Sequence, residues 1–307
     1  MNLELNNITI GYSKPLISEG NLSLETGDVC LIIGDNGVGK TTLIKTILGQ
    51  NNLISGDIFL DKDNIKELSS KEIAQKISIV FSKSQIPNHF TVLDLISFGK
   101  YIHYPYYFKL NDIDLQEVGE IIESLGLKEF KNYQLQNLSD GNLQKAFIGR
   151  ALAQNTPIII LDEPTTHLDE KNKLMILNLL RSIAKTQNKI ILFSSHDWRL
   201  AKEFSDKICL LRNGQLYSGI AEDVLLKQSE LMTPKLYDFN SGFVPPVIIA
   251  PELQKELLYS FLQKNHPKNL KSYKFTWSDT FWEISIDDSQ EKVKSFKEIT
   301  NLLSNLH

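Results

Sequence analysis

The sequence predicts an α/β fold: a largely parallel sheet with helices on both faces, followed by a small α+β appendage. Three observations predict it. Short apolar runs alternate with segments whose apolar residues recur at helical spacing. A glycine-punctuated loop, Gly34 to Gly39, joins one such run to one such helix. A stretch with four prolines, Thr233 to Pro251, separates this alternation from two short segments that alternate residue by residue.

Each element is justified in turn. Leu3 to Tyr12 alternates apolar and polar residues and reads as a strand ending at Gly11. Val29 to Ile33 reads as a buried strand. Lys40 to Leu48 carries Leu43, Ile44, Ile47 and Leu48 at helical spacing, and Gly49 stops it. Asp57 to Leu60 and Ile77 to Phe81 read as strands. From about Ser82 to Ser139 the character is mainly helical, with helices at Val92 to Phe98 and at Leu115 to Leu125. The aromatic run Tyr101 to Phe108 between them fits neither template.

A helix after Gly141 reaches about Gln154, and Pro157 opens the strand Ile158 to Leu161. Leu174 to Ile183 reads as helix, Lys189 to Phe193 as strand, Leu200 to Phe204 as helix and Ile208 to Leu211 as strand. Such alternation builds a parallel sheet covered on both faces. Asn213-Gly214 reads as a hairpin turn into Gln215 to Tyr217. The proline-rich stretch reads as a linker. Beyond it come a helix at Leu253 to Leu262, strands at Tyr273 to Trp277 and Trp282 to Ile286, and a helix from Val293 to Leu306. Tyr273, Phe275, Trp277, Trp282, Ile284 and Ile286 alternate as the faces of a hairpin. They are expected to pack the appendage onto its own helices, with a regulatory or dimer-stabilising role as the alternative.

Composition narrows the function classes. The 307 residues hold 33 Lys plus Arg and 37 Asp plus Glu, a formal net charge of -4. A chain that coats nucleic acid needs a basic surplus, so no nucleic-acid partner is expected. Charged residues make up 23% and hydrophobic residues 42%, which excludes wholesale disorder. No run approaches the roughly 18 apolar residues that span a bilayer. The start, Met1-Asn2-Leu3-Glu4, lacks the basic and apolar regions of a secretory signal, so a cytosolic location is expected. Cys30 and Cys209 each sit in an apolar strand-like run, and small buried thiols are expected rather than a disulfide or metal ligands.

The chemistry concentrates in three places. Gly34-Asp35-Asn36-Gly37-Val38-Gly39-Lys40-Thr41 fits G-x-x-x-x-G-K-[ST] at every fixed position. Glycines let backbone N–H groups converge on an anion, and the following helix aims its positive end at the same point. Lys40 then reaches the β- and γ-phosphates, and the Thr41 hydroxyl ligates Mg²⁺. Ile158 to Leu161 delivers Asp162 and Glu163 to the carboxyl end of the sheet, where ligands bind in α/β folds. Asp162 is the candidate Mg²⁺ carboxylate, and Glu163 the candidate general base for an attacking water. The strand Lys189 to Phe193 carries His196 to the same edge, placing it for a γ-phosphate contact. A structural role is the ordinary alternative for such a histidine.

Leu138-Ser139-Asp140-Gly141-Asn142-Leu143-Gln144-Lys145 resembles the signature motif of ABC ATPases. The order of phosphate loop, signature, acid pair, D-loop and switch histidine spans Gly34 to His196, and residues 1–228 look like an ABC ATP-binding subunit. The resemblance implies a P-loop NTPase fold of the ABC type, with a RecA-like core sheet, an antiparallel β-subdomain and a helical subdomain at about 83–140. It implies an ATP-binding domain over 1–230, a linker over 231–251 and the α+β appendage over 252–307. It implies ATP and Mg²⁺ as cofactors and a partner second copy of an ABC ATPase subunit.

By the same resemblance, Tyr12 stacks on adenine, and Gly34, Asn36, Gly37, Gly39, Lys40, Thr41 and Thr42 cradle the phosphates. Ser139 and Gly141 grip the γ-phosphate held by the opposing subunit. Thr166-His167-Leu168-Asp169 matches the D-loop, and His196 the switch histidine. Two positions depart from the pattern. Ser82 stands where the Q-loop glutamine belongs, with Gln85 three residues on as its substitute. Asp140 replaces the first glycine of the signature pair.

Thr91 to His103, T-V-L-D-L-I-S-F-G-K-Y-I-H, is similar to the T-V-x-[ED]-L-[VI]-x-x-G-R-Y-x-H pattern of ATPases powering iron-siderophore, haem and cobalamin importers. That branch implies transmembrane permease subunits as partners, indirectly a substrate-binding protein, and a peripheral place on the cytoplasmic face of the inner (plasma) membrane. The aromatic run Tyr101 to Phe108 would lie near the permease. A soluble ABC ATPase of cofactor (Fe–S) assembly, and an ATPase of another ABC transporter branch, are the alternatives. A neighbouring reading frame for a many-helix permease discriminates the first of these from the importer.

Overall fold

Val29–Ile33 is buried at all five positions in the computed structural model, as a strand covered on both faces must be. The structure describes residues 1–12, 14–82, 89–104, 109–197, 203–227, 243–265, 269–286 and 289–305. The chain divides into two units, Met1–Ser229 and Glu230–His307.

The first unit runs β1 (Asn2–Gly11), β2 (Pro15–Glu25), β3 (Val29–Ile33), α1 (Lys40–Ile47), β4 (Ser55–Leu60), β5 (Asp63–Asn64), α2 (Ser70–Lys76) and β6 (Ile77–Val80). It continues with α3 (Val92–Phe98), α4 (Asp112–Ser124), α5 (Asp140–Ala153), β7 (Ile158–Leu161), α6 (Glu170–Thr186), β8 (Ile190–Ser195), β9 (Lys207–Arg212), β10 (Gln215–Ile220) and α7 (Ala221–Lys227). One sheet runs β5-β4-β1-β2-β10-β9-β3-β8-β7-β6. Its half β9-β3-β8-β7-β6 is parallel, and β5-β4-β1-β2 is antiparallel. The chain leaves β3 between β8 and β9, so the crevice at the carboxyl end of β3 is a topological switch point. Ile32, Leu43, Ile44, Ile158, Ile160 and Leu192 are all buried and belong to one apolar cluster behind that crevice. Each buried aliphatic side chain of this kind contributes about 1.5–3 kcal/mol.

Several sequence expectations need correction. β2 lies in a segment read as no element. Only its second half alternates, and its pairing with β1 is broken by bulges near Glu19, which takes φ 53°. The helix at α4 starts at Asp112, ahead of Leu115, because Asn111 caps it by accepting the Asp114 N–H. The strand at β8 runs on through Ser194 and Ser195, both buried. The helix read at Leu200 to Phe204 lies mostly outside the described residues. Asn213 and Gly214 take φ 51° and 76°, the left-handed pair that a two-residue hairpin between β9 and β10 demands.

The second unit comprises β11 (Val247–Ile249), α8 (Glu252–Asn265), β12 (Tyr273–Ser278), β13 (Phe281–Ile286), β14 (Ser289–Val293) and α9 (Phe296–Asn305), with sheet order β11-β12-β13-β14. Phe275 faces Ile284 and Trp277 faces Trp282 across the hairpin. These residues join Leu258, Leu262, Ile299 and Leu303 in the unit's own core. Part of the stretch read as linker is structure: Phe243 is buried in this core, and Val247–Ile249 pairs in parallel with β12. Prolines 245 and 246 precede this edge strand, where the missing N–H costs little. Val293 closes β14 instead of opening the last helix. That strand was hidden because its other four positions are polar and exposed, as an edge tolerates.

Candidate active site

The loop after β3 is shaped by its glycines. A Cβ at Gly34 would come within 2.6 Å of the Leu211 carbonyl, so only glycine fits beside β9. Gly37 takes φ 81° with open space around it, and Gly39 takes φ 116° as the residue preceding α1. Asn36 and Gly37 are exposed at the tip, and Thr42 is buried within α1.

α1 differs from the five helices that follow it. α2 through α6 each start on a side-chain cap (Ser69, Thr91, Asn111, Ser139 and Asp169) and each carry an acid in the first turn. α1 has no side-chain cap and no acid there. Its first N–H groups and positive end are left for an external anion. Lys40, 6% exposed, folds back over the loop and donates to the Gly34 carbonyl at 2.7 Å and the Asp35 carbonyl at 3.2 Å. Burial pushes the Lys40 ammonium below its ordinary pKa, and the charges of Glu163, Asp162 and Asp35 oppose that shift.

The acid pair meets this loop. Asp162, 5% exposed, follows β7, and its Oδ2 accepts from the Thr41 hydroxyl at 3.2 Å. Its Oδ1 accepts from the Ser194 hydroxyl at 2.7 Å. The Ser194 oxygen accepts in turn from the Glu163 N–H at 2.8 Å. Glu163 is half-buried and takes φ 50°, and its Oε2 accepts from the Thr166 hydroxyl at 3.0 Å. His196 is exposed just beyond β8.

The structure brings Lys40, Thr41, Asp162 and Glu163 into one site and places the other candidates around the same unit. Tyr12 is 68% exposed just past β1. Ser139 caps α5 by accepting the Asn142 N–H, and Asp140 is exposed in its first turn, where the helix dipole favours a carboxylate. Gly141 is buried against Asn172, whose side chain donates to Asp169 Oδ2 at 3.0 Å. Asp169 caps α6 by accepting the Asn172 N–H at 2.7 Å. Ser82 is exposed two residues beyond β6, and Gln85 lies outside the described residues.

Ser194 and Asn172 have no role in the sequence reading, and Thr166 enters it only as part of the D-loop match. Only Ser194 left a signal: the parallel register sets Leu161 beside Phe193, so the next residues, Asp162 and Ser194, are neighbours.

The family model described as "ABC transporter" matches residues 17–166. The petrobactin import ATP-binding protein FpuD of Bacillus anthracis is 34% identical over 225 residues, 73% of this chain and 82% of that protein. This chain belongs to the ABC transporter family. It is an ATP-hydrolysing member, as its relatives and fold indicate. The iron(3+)-hydroxamate import ATP-binding protein FhuC of Bacillus subtilis (strain 168) is 34% identical over 260 residues, covering 84% of this chain and 94% of FhuC. Among solved structures, the dimeric ABC ATP-binding cassette MJ0796, in a post-hydrolysis state bound to ADP and Pi, is similar with a TM-score of 0.62 and 26% identity. It covers 71% of this chain and 98% of its own. The MJ0796 cassette is a dimer, and no helix among the described residues of this chain is long and apolar enough to cross a membrane.

Proposed function

We propose that this chain is the ATP-hydrolysing subunit of an ABC importer that takes up iron–siderophore chelates, with haem or cobalamin-type cargo as the wider class. The contact chain Thr41–Asp162–Ser194–Glu163, set beside the uncapped start of α1, is the observation that supports it at the site. The relatives named for petrobactin and iron(3+)-hydroxamate import support the cargo class.

The donor set fits Mg²⁺ shared with a nucleotide. Among the described residues no group of three His, Cys, Asp or Glu side chains could hold a metal by itself. One carboxylate and one hydroxyl, Asp162 and Thr41, leave most of an octahedral shell to water and phosphate oxygens, the usual arrangement for this ion. When bound, Mg²⁺ would offset phosphate charge and polarise the γ-phosphate.

The chain's own residues do the rest. Gly34, Asn36, Gly37 and Gly39 let the loop amides wrap the phosphates, Lys40 adds its charge, and Thr42 holds the first turn of α1. Tyr12 offers an exposed ring for the adenine. Glu163 takes the proton of the attacking water, and His196 orients the γ-phosphate. Ser139 and Gly141, with Asp169 beside them, complete the site of a second copy, so ATP binds the closed dimer more tightly than the open one. That difference in affinity drives the change in the permease. Ser82, or Gln85 three residues on in the sequence, fills the place of the Q-loop glutamine.

Phe98 and Tyr101 form an exposed edge-to-face pair, ring centroids 5.0 Å apart, and suit an anchor for a permease helix. The protein would then sit on the cytoplasmic face of the membrane through its permease, with a substrate-binding protein delivering cargo from the other side. The test is co-purification. A tagged Glu163→Gln chain, extracted from native membranes in mild detergent with ATP, should bring down a many-helix permease. A soluble partner alone, with the chain absent from membranes, would move the assignment to cofactor assembly.

A further inference from the structure

We propose, on the reading of Asp162 as the Mg²⁺-holding carboxylate, that Ser194 is a positioning residue that fixes which Asp162 oxygen faces the metal and phosphate. Ser194 is wholly buried on β8, one rung beyond the pair Leu161 and Phe193. A hydroxyl has one hydrogen to give. Here it goes to Asp162 Oδ1 at 2.7 Å, while the oxygen takes the Glu163 N–H at 2.8 Å. Its one donor and one of its two acceptor sites are committed, and the donated bond fixes the hydroxyl's rotation.

The consequence falls on Asp162. With Oδ1 held by Ser194, Oδ2 is the oxygen turned to Thr41, at 3.2 Å. The terminal torsion of an aspartate is broad and intrinsically soft, so a second partner is what defines it. The same hydroxyl anchors the backbone of Glu163, which sits at φ 50° where a non-glycine residue needs outside support. One buried side chain thus sets the orientation of both acids. Ser195, its neighbour, serves elsewhere: its Oγ accepts the Asp197 N–H at 3.0 Å and shapes the turn carrying His196.

Removing the hydroxyl strands two buried polar groups together, Asp162 Oδ1 and the Glu163 N–H. Threonine keeps the donor and acceptor, cysteine offers a weak donor of similar size, and alanine offers neither. The expected effect is a loss of Mg²⁺ coupling rather than of nucleotide recognition.

The test measures AMP-PNP affinity by calorimetry on the full chain, in excess Mg²⁺ and in EDTA. Ser194→Ala should cut the Mg²⁺-dependent gain in affinity about ten- to hundredfold, the worth of one charge-assisted hydrogen bond, and leave the EDTA affinity unchanged. Ser194→Thr should restore the gain. If the alanine variant does not fold, Ser194→Cys carries the test and should show a reduced gain. Asp162→Asn, run in parallel, should abolish the gain. A full Mg²⁺ gain in Ser194→Ala or Ser194→Cys, with Asp162→Asn defective, overturns the proposal alone. A full gain in Asp162→Asn overturns the reading of Asp162 on which it stands.

Discussion

Gly141 lies against Asn172 so closely that a Cβ on Gly141 would stand 2.7 Å from the Asn172 Oδ1. The start of α5 and the start of α6 therefore share one contact, and Asn172 cannot easily yield because both its backbone N–H and its side chain bond Asp169. Gly141→Ala should leave the fold intact and lower ATP turnover about tenfold, since overpacking by one methyl costs roughly 1–3 kcal/mol. Asn172→Ala placed in the same chain should recover part of that loss. Additive losses in a double-mutant cycle would deny the contact.

Asp206 ties three elements together. It accepts the Val29 N–H at 2.9 Å and pairs with Lys185 at 2.9 Å and Arg181 at 3.1 Å, joining β3, α6 and the start of β9. Burial alone would raise its pKa. The Lys185 hydrogen bond, the Val29 amide and the charges of Arg181 and Lys185 outweigh it and leave the carboxyl below its ordinary value. A depressed carboxylate contributes stability above its unfolded pKa, about 3.9, and that contribution is lost as pH falls through the folded value. Asp206→Asn should cost about 1–2 kcal/mol in urea unfolding at neutral pH. The gap from wild type should narrow steadily below about pH 4. A gap of constant size down to the lowest pH at which the chain folds would refute the charge account.

The two thiols should be silent in the native protein. Cys30 and Cys209 are fully buried; burial pushes Cys209 up to about 12, and burial with nearby charges pushes Cys30 well above its ordinary value. Thiolate is the reactive form, so iodoacetamide at pH 8 should label neither until urea is added. Rapid native labelling of either would mean that the β3–β9 region opens.

How much of this was legible in the sequence depends on the range of the physics involved. The phosphate loop was legible because its glycines answer to local backbone demands, and the strand Ile158 to Leu161 because every position is apolar and buried. Val92–Phe98 matched because helical spacing is a local signal, and the structure adds a capping box from Thr91 and Asp94. β2 escaped because bulges break its alternation, and β11 because prolines flank it. Ser194 and Asn172 escaped for a different reason. The Asp162 that Ser194 serves and the Gly141 that Asn172 presses on are set by strand register and helix packing, which no window of neighbouring residues contains.

Phe98 and Tyr101 give the permease assignment its own check. Both are about half exposed, and their rings meet edge to face. Serine at both positions should leave the ATPase of the isolated chain unchanged and weaken permease co-purification at least about tenfold. Undiminished co-purification would place the docking surface elsewhere.

The central claim is that Glu163, held by Ser194 and Thr166 at the carboxyl end of the sheet, is the base for ATP hydrolysis. The most direct measurement compares Glu163→Gln with wild type in steady-state turnover, and in size-exclusion chromatography with ATP and Mg²⁺. Turnover should fall by about 10²–10⁴-fold, the usual contribution of a general base, and the variant should elute as a dimer that retains nucleotide. A variant that hydrolyses ATP at the wild-type rate, and elutes no differently with ATP, would contradict it.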